Sequence, residues 1–251
     1  MRLFGKNSVI ERLRHDPKGI RKIYLEEGFL DKGAIYKKAK PWNIPIHITT
    51  QSRIIKTAGN KNTQGIIADV DDFSYTPFED MLDIALKKKY TLVFLDELND
   101  PQNLGAMIRS LACLGHFGLV LPTHKSVGIT ETVLRIASGG DCHLTVAKVS
   151  NISSAIRIAK KAGVQIVGAV VKGGQSLEEV NFSFPVGLVI GSEQKGIRDV
   201  VRAHLDMEVT IPMAADTLSF NVAHATTIFA YEINRQKNQN RRQRNQTSSR
   251  D

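Results

Sequence analysis

Apolar residues recur along the chain with two alternating periods, every third or fourth residue and every residue or every second, and this alternation describes two α/β stretches. In the first, residues 7–14 (NSVIERLR) put Val9, Ile10 and Leu13 on one side of a short helix. Strand patterns follow at residues 22–26, 44–48 and 65–70, with a helical pattern over 29–38 and a helix start at Thr50. Residues 71–77 (DDFSYTP) break the alternation, and 78–89 resumes as a helix whose final KKK suits a helix C-terminus. From Thr91 the runs TLVFLDE, FGLVLP, HLTVAKV, VQIVGAVV, VGLVIGSE and MEVTIP have strand length and composition. They are separated by helical stretches beginning near Asn103, Thr130, Ser153, Gly196 and Ser219. Such a pattern predicts an α/β domain, a mostly parallel sheet covered by helices on both faces, with ligands beyond the carboxyl ends of its strands. Residues 219–231 carry no formal charge and are apolar or small on almost every side, so the pattern predicts a helix buried all round. Residues 235–251 hold no apolar side chain and read as a disordered tail. The expected organisation is therefore a small domain at 1–74, a linker and helix at 75–90, a larger domain at 91–234 and the tail at 235–251.

Composition narrows this picture only in part. No run of about 18 apolar residues is present and the first residues lack the apolar centre of a signal peptide, so a cytoplasmic protein with no membrane partner is expected. Cys113 and Cys142 form no CxxC and have no histidine at ligand spacing, which predicts buried thiols, no disulfide framework and no metal. Charge is more telling. Residues 1–75 hold 14 basic and 8 acidic side chains (+6), residues 76–234 hold 14 and 16 (−2), and residues 235–251 hold 6 and 1 (+5). Basic flanks around a slightly acidic middle fit flanks that grip a polyanion, with RNA, DNA and acidic membranes all open on charge alone.

Three polar segments follow strands of the larger domain. In DELNDPQNLGAMIRS, residues 96–110, Pro101 fixes a turn and Asn103 is placed to cap a helix. Leu104, Met107, Ile108, Leu111 and Leu114 form that helix's apolar stripe, with Arg109 on the other side as an exposed residue or an anion contact. In IGSEQKGI, residues 190–197, Gly191 permits a sharp turn and close ligand approach, Gly196 a second turn, and Glu193 lies between them. In IPMAADTLSFNVAHA, Ser219 and Asn221 can cap a helix or hold a ligand. There is no GxGxxG after the first strand, no GxxxxGK[ST], no G-x-S-x-G and no paired metal spacing among the histidines, which leaves Rossmann, P-loop, serine-hydrolase and zinc chemistry without support.

In this order NDPQNLGAMIRS, VGLVIGSEQKGI and IPMAADTLSFNVAHA resemble the three motifs of the SpoU (TrmH) RNA 2'-O-ribose methyltransferases of the SPOUT superfamily. FGKNSVIERLR and TQGIIADV resemble the small domain related to ribosomal protein L30e that precedes the methyltransferase in enzymes acting on guanosine of 23S ribosomal RNA. The resemblance implies a trefoil-knotted SPOUT domain behind an L30e-like RNA-binding domain, a site for S-adenosylmethionine, and a homodimer whose interface borders that site. It implies roles for Asn103, Arg109, Glu193, Ser219 and Asn221 in catalysis, and for Gly191, Gly196, Ile211, Met213 and Phe220 in holding the cofactor. A transfer-RNA methyltransferase and a non-catalytic RNA-binding protein of the same fold are the alternatives.

Overall fold

The computed structural model describes residues 1–59, 62–215 and 217–247, with side chains to residue 241. The first elements are β1 (Arg2–Phe4), α1 (Lys6–His15), β2 (Ile20–Glu26), α2 (Lys32–Ala39), β3 (Ile46–Thr49), α3 (Gln51–Ala58) and β4 (Ile66–Val70). Then come α4 (Phe78–Lys88), β5 (Thr91–Leu95), α5 (Pro101–Leu114), β6 (Phe117–Pro122), α6 (Glu131–Ala137), β7 (Thr145–Val149) and α7 (Ile152–Lys161). The chain closes with β8 (Gln165–Ala169), β9 (Gln175–Ser176), β10 (Val186–Ile190), α8 (Asp199–Arg202), β11 (Met207–Thr210) and α9 (Val222–Thr247). These elements form two compact units, one of Met1–Ser74 with Ile129–His143, the other of Tyr75–Gly128 with Leu144–Asp251.

The smaller unit is built on a four-stranded mixed sheet in the order β1-β4-β2-β3, antiparallel except for the β2–β3 pair. Its core of Val9, Leu13, Ile23, Leu25, Ile35 and Ile66 follows the predicted stripes, and Leu3 adds to it. Strand β1 has three residues, too few for a period to be read, and joins the sheet by pairing Arg2–Phe4 with β4. The segment 129–143 brings Val133, Leu134 and Ala137 into burial and is tied down by Arg12, whose Nη2 lies 2.9 Å from the buried carboxylate of Asp141. Burial raises the carboxyl of Asp141 above its ordinary range, and the Arg12 charge opposes that rise.

The larger unit holds a seven-stranded, wholly parallel sheet in the order β7-β6-β5-β10-β8-β11-β9. Strands β5, β6 and β10 are buried along their whole length, which is why they read as continuous apolar runs. Helix α4 packs Phe78, Met81, Leu82 and Ala85 into the same core as Ile152, Ala155, Ile156 and Ala159 of α7.

Several expectations are corrected. The helix expected at Asn103 starts at Pro101, because Asp100 takes the cap by accepting from the Gln102 N–H at 2.8 Å. The helix expected near Ser219 starts at Val222, and the charge-free stretch is not buried all round: Phe220 ahead of the helix and Tyr231 within it are 45% and 61% exposed. Cys113 is exposed on the outer side of α5 rather than buried. Residues 235–247 of the expected disordered tail continue α9 as helix, while residues 248–251 lie outside the described part. Gln236 explains the anchoring. It is buried, its Nε2 donates to the Val180 carbonyl at 2.8 Å and its Oε1 accepts from the Phe182 N–H at 3.0 Å, so a polar side chain docks the tail where an apolar one was sought. Beyond it arginine, glutamine and asparagine extend a helix already nucleated by Val222 to Ile233. Among the described residues no helix is long and apolar enough to cross a membrane.

Candidate active site

Motif residues from three distant stretches converge where the carboxyl ends of β5, β8, β10 and β11 meet the start of α9. Asn103, in the first turn of α5, is buried and donates through Nδ2 to the Glu193 carboxylate. Its Oδ1 accepts from Nδ2 of Asn221 at 3.0 Å, and Oδ1 of Asn221 accepts from the backbone N–H of Ala223 at 2.9 Å. The run is directional. A free N–H at the head of α9 fixes which end of Asn221 accepts, Asn221 then fixes Asn103, and Asn103 presents an N–H that only an acceptor such as a carboxylate satisfies. Asn221 is thus both the helix cap and a link in the site.

The loop after β10 is drawn shut by reciprocal backbone bonds between Ser192 and Gly196, at 3.1 and 2.9 Å. Gly196 sits at φ +65°, where a side chain is strained. A Cβ on Gly191 would lie 2.1 Å from the carbonyl carbon of Gly196, so only glycine lets the two passes of backbone approach this closely.

These turns form one wall of a cavity of about 710 Å³. Gly191, Glu193 and Gly196 line it from the β10 loop, Ile211 and Met213 from the segment after β11, and Ser219, Phe220 and Asn221 from the approach to α9. Eight of the ten sequence-derived site residues therefore share one recess, and Asn103 reaches it through Glu193. Arg109 does not line it. It stands exposed on α5, and among the described residues it has no hydrogen-bond or ion-pair partner. The recess mixes the apolar side chains of Ile190, Ile211, Met213 and Phe229 with backbone polar groups, and its size falls in the roughly 300–1,000 Å³ range of small-molecule sites.

One pair was not foreseen. Asp96, at the end of β5, has no solvent exposure and accepts three bonds from Arg198: from the backbone N–H at 3.0 Å, Nε at 2.8 Å and Nη2 at 2.5 Å. Nη1 of Arg198 also lies 3.2 Å from Glu97. The Asp96 hydrogen bond holds the guanidinium above its ordinary pKa. Two side chains about a hundred residues apart thereby anchor the glycine loop to the neighbouring strand.

Residues 90–231 match the SpoU rRNA Methylase family, and residues 2–76 match the RNA 2'-O ribose methyltransferase substrate binding family. The chain belongs to the SpoU methylases.

Among SpoU relatives, the chain is 32% identical to the 23S rRNA (guanosine-2'-O-)-methyltransferase RlmB of Nitrosomonas europaea over 94% of its own length and 92% of that protein. An uncharacterized tRNA/rRNA methyltransferase of Mycobacterium tuberculosis is 35% identical over 99% of this chain and 78% of that one. The AdoMet-bound rRNA methyltransferase of Sinorhizobium meliloti superposes with a TM-score of 0.77 at 25% identity, covering 93% of this chain and 86% of that one. The SpoU family accounts for an RNA 2'-O-methyltransferase architecture, a four-stranded substrate-binding domain ahead of a parallel-sheet methylase domain. Asp96 stood in plain sight in the run DELNDP, but nothing in one sequence pairs it with a basic residue on the far side of the glycine loop.

Proposed function

We propose that this protein transfers a methyl group from S-adenosylmethionine to the 2'-hydroxyl of a guanosine in 23S ribosomal RNA, acting as a homodimer. The observation that carries the reading is the run from Ala223 through Asn221 and Asn103 to Glu193 at the edge of a cavity walled by close-approaching backbone. The cofactor fits the recess: the turn at Gly191 leaves no room for a Cβ, and the mixed lining suits an amphipathic ligand with a flat heterocycle and a polar tail. Backbone around Gly191, Ile211 and Phe220 would hold it. Bound there, it supplies an electrophilic methyl group.

The chain's own residues do the rest. The ribose oxygen must be aligned with the methyl carbon and must lose its proton. Glu193, held by Asn103, keeps one carboxylate orientation at the cavity edge, and Ser219 and Asn221 present hydroxyl and amide groups beside it. Arg109 supplies the donor fork that positions the target phosphate and stabilises the developing alkoxide, while a phosphate oxygen takes the proton. Since Arg109 stands away from the recess of its own chain, the guanidinium that serves each recess is contributed by a second copy. The exposed Leu218 and Phe220 at the approach to α9, with Tyr231 exposed further along that helix, support an interface there.

Arg109→Ala is expected to reduce methyl incorporation at least a hundredfold with cofactor affinity changed less than threefold; retained transfer would remove the residue from the mechanism. Mapping 2'-O-methyl groups on total RNA with and without the gene tests the substrate. Loss of one guanosine signal in 23S RNA is expected, and loss confined to transfer RNA would reassign the target.

A further inference from the structure

The amino ends of the same parallel sheet carry a second recess, of about 630 Å³. Residues 87–89, all lysine, line it from the end of α4, His116 from the turn before β6, and Lys237 and Arg241 from α9. Phe182 and Phe184, ahead of β10, complete the wall, and no carboxylate is among the lining residues. The end of a helix dipole accounts for some of the positive charge at residues 87–89. It does not account for Lys237. The ammonium of Lys237 is buried with no hydrogen-bond partner among the described residues, and its nearest compensation is the Tyr90 ring, whose centroid is 5.0 Å away. Lys88 approaches the same ring at 5.9 Å, and His116 packs edge-on to it at 5.3 Å. Crowding and burial register on the bases themselves: burial and then Arg241 push Lys237 down to about 8, and burial followed by Lys237 and Arg241 pushes His116 down.

A recess that gathers cations and leaves one ammonium without an acceptor is incomplete without an anion. Its cations are spread over two helices rather than converging on one point, which suits a phosphodiester chain better than a single small ion. We propose that this recess is a second RNA contact, binding backbone phosphates at the end of the sheet opposite the cofactor cavity. The inference rests on reading the chain as an RNA methyltransferase, and extends the RNA footprint to a face of the methylase domain away from the reacting ribose.

The test measures binding of a short fluorescein-labelled RNA to the full chain as a function of salt. The double variant Lys87→Glu/Arg241→Glu changes exposed side chains, and Lys237→Gln removes the buried charge. Affinity is expected to fall tenfold or more in the double variant, with the slope of log K against log salt reduced by about 2, and to fall severalfold in Lys237→Gln. Arg157→Glu/Lys161→Glu on α7 makes the same net-charge change elsewhere and is expected to alter affinity less than threefold. Unchanged affinity and slope in Lys87→Glu/Arg241→Glu, or an equal loss in the α7 pair, would overturn the proposal. Should Lys237→Gln fail to fold, the exposed pair still decides. Methyl transfer by the wild-type chain is scored separately: RNA binding without transfer counts against the enzymatic reading, while transfer with an indifferent recess counts against this one alone.

Discussion

At the scale of single residues, the site depends on which end of each amide faces which neighbour. Asn103 accepts from Asn221 and donates to Glu193, so replacing it with aspartate keeps the size and the acceptor but turns the donor into a second carboxylate facing Glu193. Like charges at this distance favour protonation of one of the two. Asn103→Asp is expected to lower methyl transfer at neutral pH by tenfold or more and to recover part of it at acidic pH, read from initial rates across a pH series. A flat profile with full activity would show that the orientation of Glu193 is immaterial. The resemblance marked Asn103 as a site residue; the partners that orient it, Asn221 and Glu193, were not legible in the sequence. The residue looked like a helix cap because asparagine favours that position, yet Asp100, three residues earlier, has the cap. The stronger local signal was satisfied locally, and the weaker one was left free for a partner ninety residues away in the chain.

At the scale of elements, the same division holds. Strands that are buried along their whole length announce themselves, and β5, β6 and β10 fall where the apolar runs lie. Strand β9 does not, since two residues pairing with β11 leave no period to detect. The extension of α9 was hidden for a different reason: composition signals apolar burial, whereas Gln236 docks through two hydrogen bonds to the backbone around Val180 and Phe182. The pair Asp96–Arg198 is the element-scale device with the sharpest consequence, because it joins the end of β5 to the loop that leaves β10. Asp96→Asn would leave the guanidinium with Glu97 as its nearby carboxylate and weaken three bonds to a side chain that is itself fully buried. Breaking a fully buried pair costs about 3–5 kcal/mol, and with the Arg198 side chain 37% exposed the expected loss is smaller, about 2 kcal/mol. Denaturant titration checks the stability. Cofactor titration is expected to show a larger relative loss than in a core substitution of equal cost, since the loop carrying Gly191 and Glu193 is what comes loose; equal losses would make the pair a general stabiliser.

At the scale of the whole molecule, the charge-free stretch before and within α9 is the feature whose meaning changed most. The sequence suggested burial on all sides; in the single chain Leu218 and Phe220 remain open at the approach to α9, and His224 and Tyr231 are exposed along it. Exposed apolar groups before and along α9, together with an Arg109 that stands away from the recess, are the features the proposed second copy would cover and complete. Sedimentation at micromolar concentration is expected to show a dimer, and Tyr231→Glu to shift it toward monomer with loss of methyl transfer. A monomer that binds cofactor and remains active would end that reading. Single-chain patterns register only that a residue is apolar, so an exposed apolar face and a core face read alike.

The discontinuity of the smaller unit has a bearing on how this chain could be taken apart. Its residues come from Met1–Ser74 and again from Ile129–His143, where Val133 and Leu134 are buried and Glu131 accepts from the backbone N–H of Arg2 at 2.9 Å. A protease cut between residues 71 and 77 therefore severs a peptide bond without separating two products. The fragments are expected to co-elute in native size exclusion and to part only in denaturant; separation in native buffer would contradict it. By the same logic, moving the substrate-binding unit onto another methylase requires transplanting two pieces of sequence together. The boundary that matters for recombination is a seam stitched through the catalytic half of the gene, not a point between the two halves.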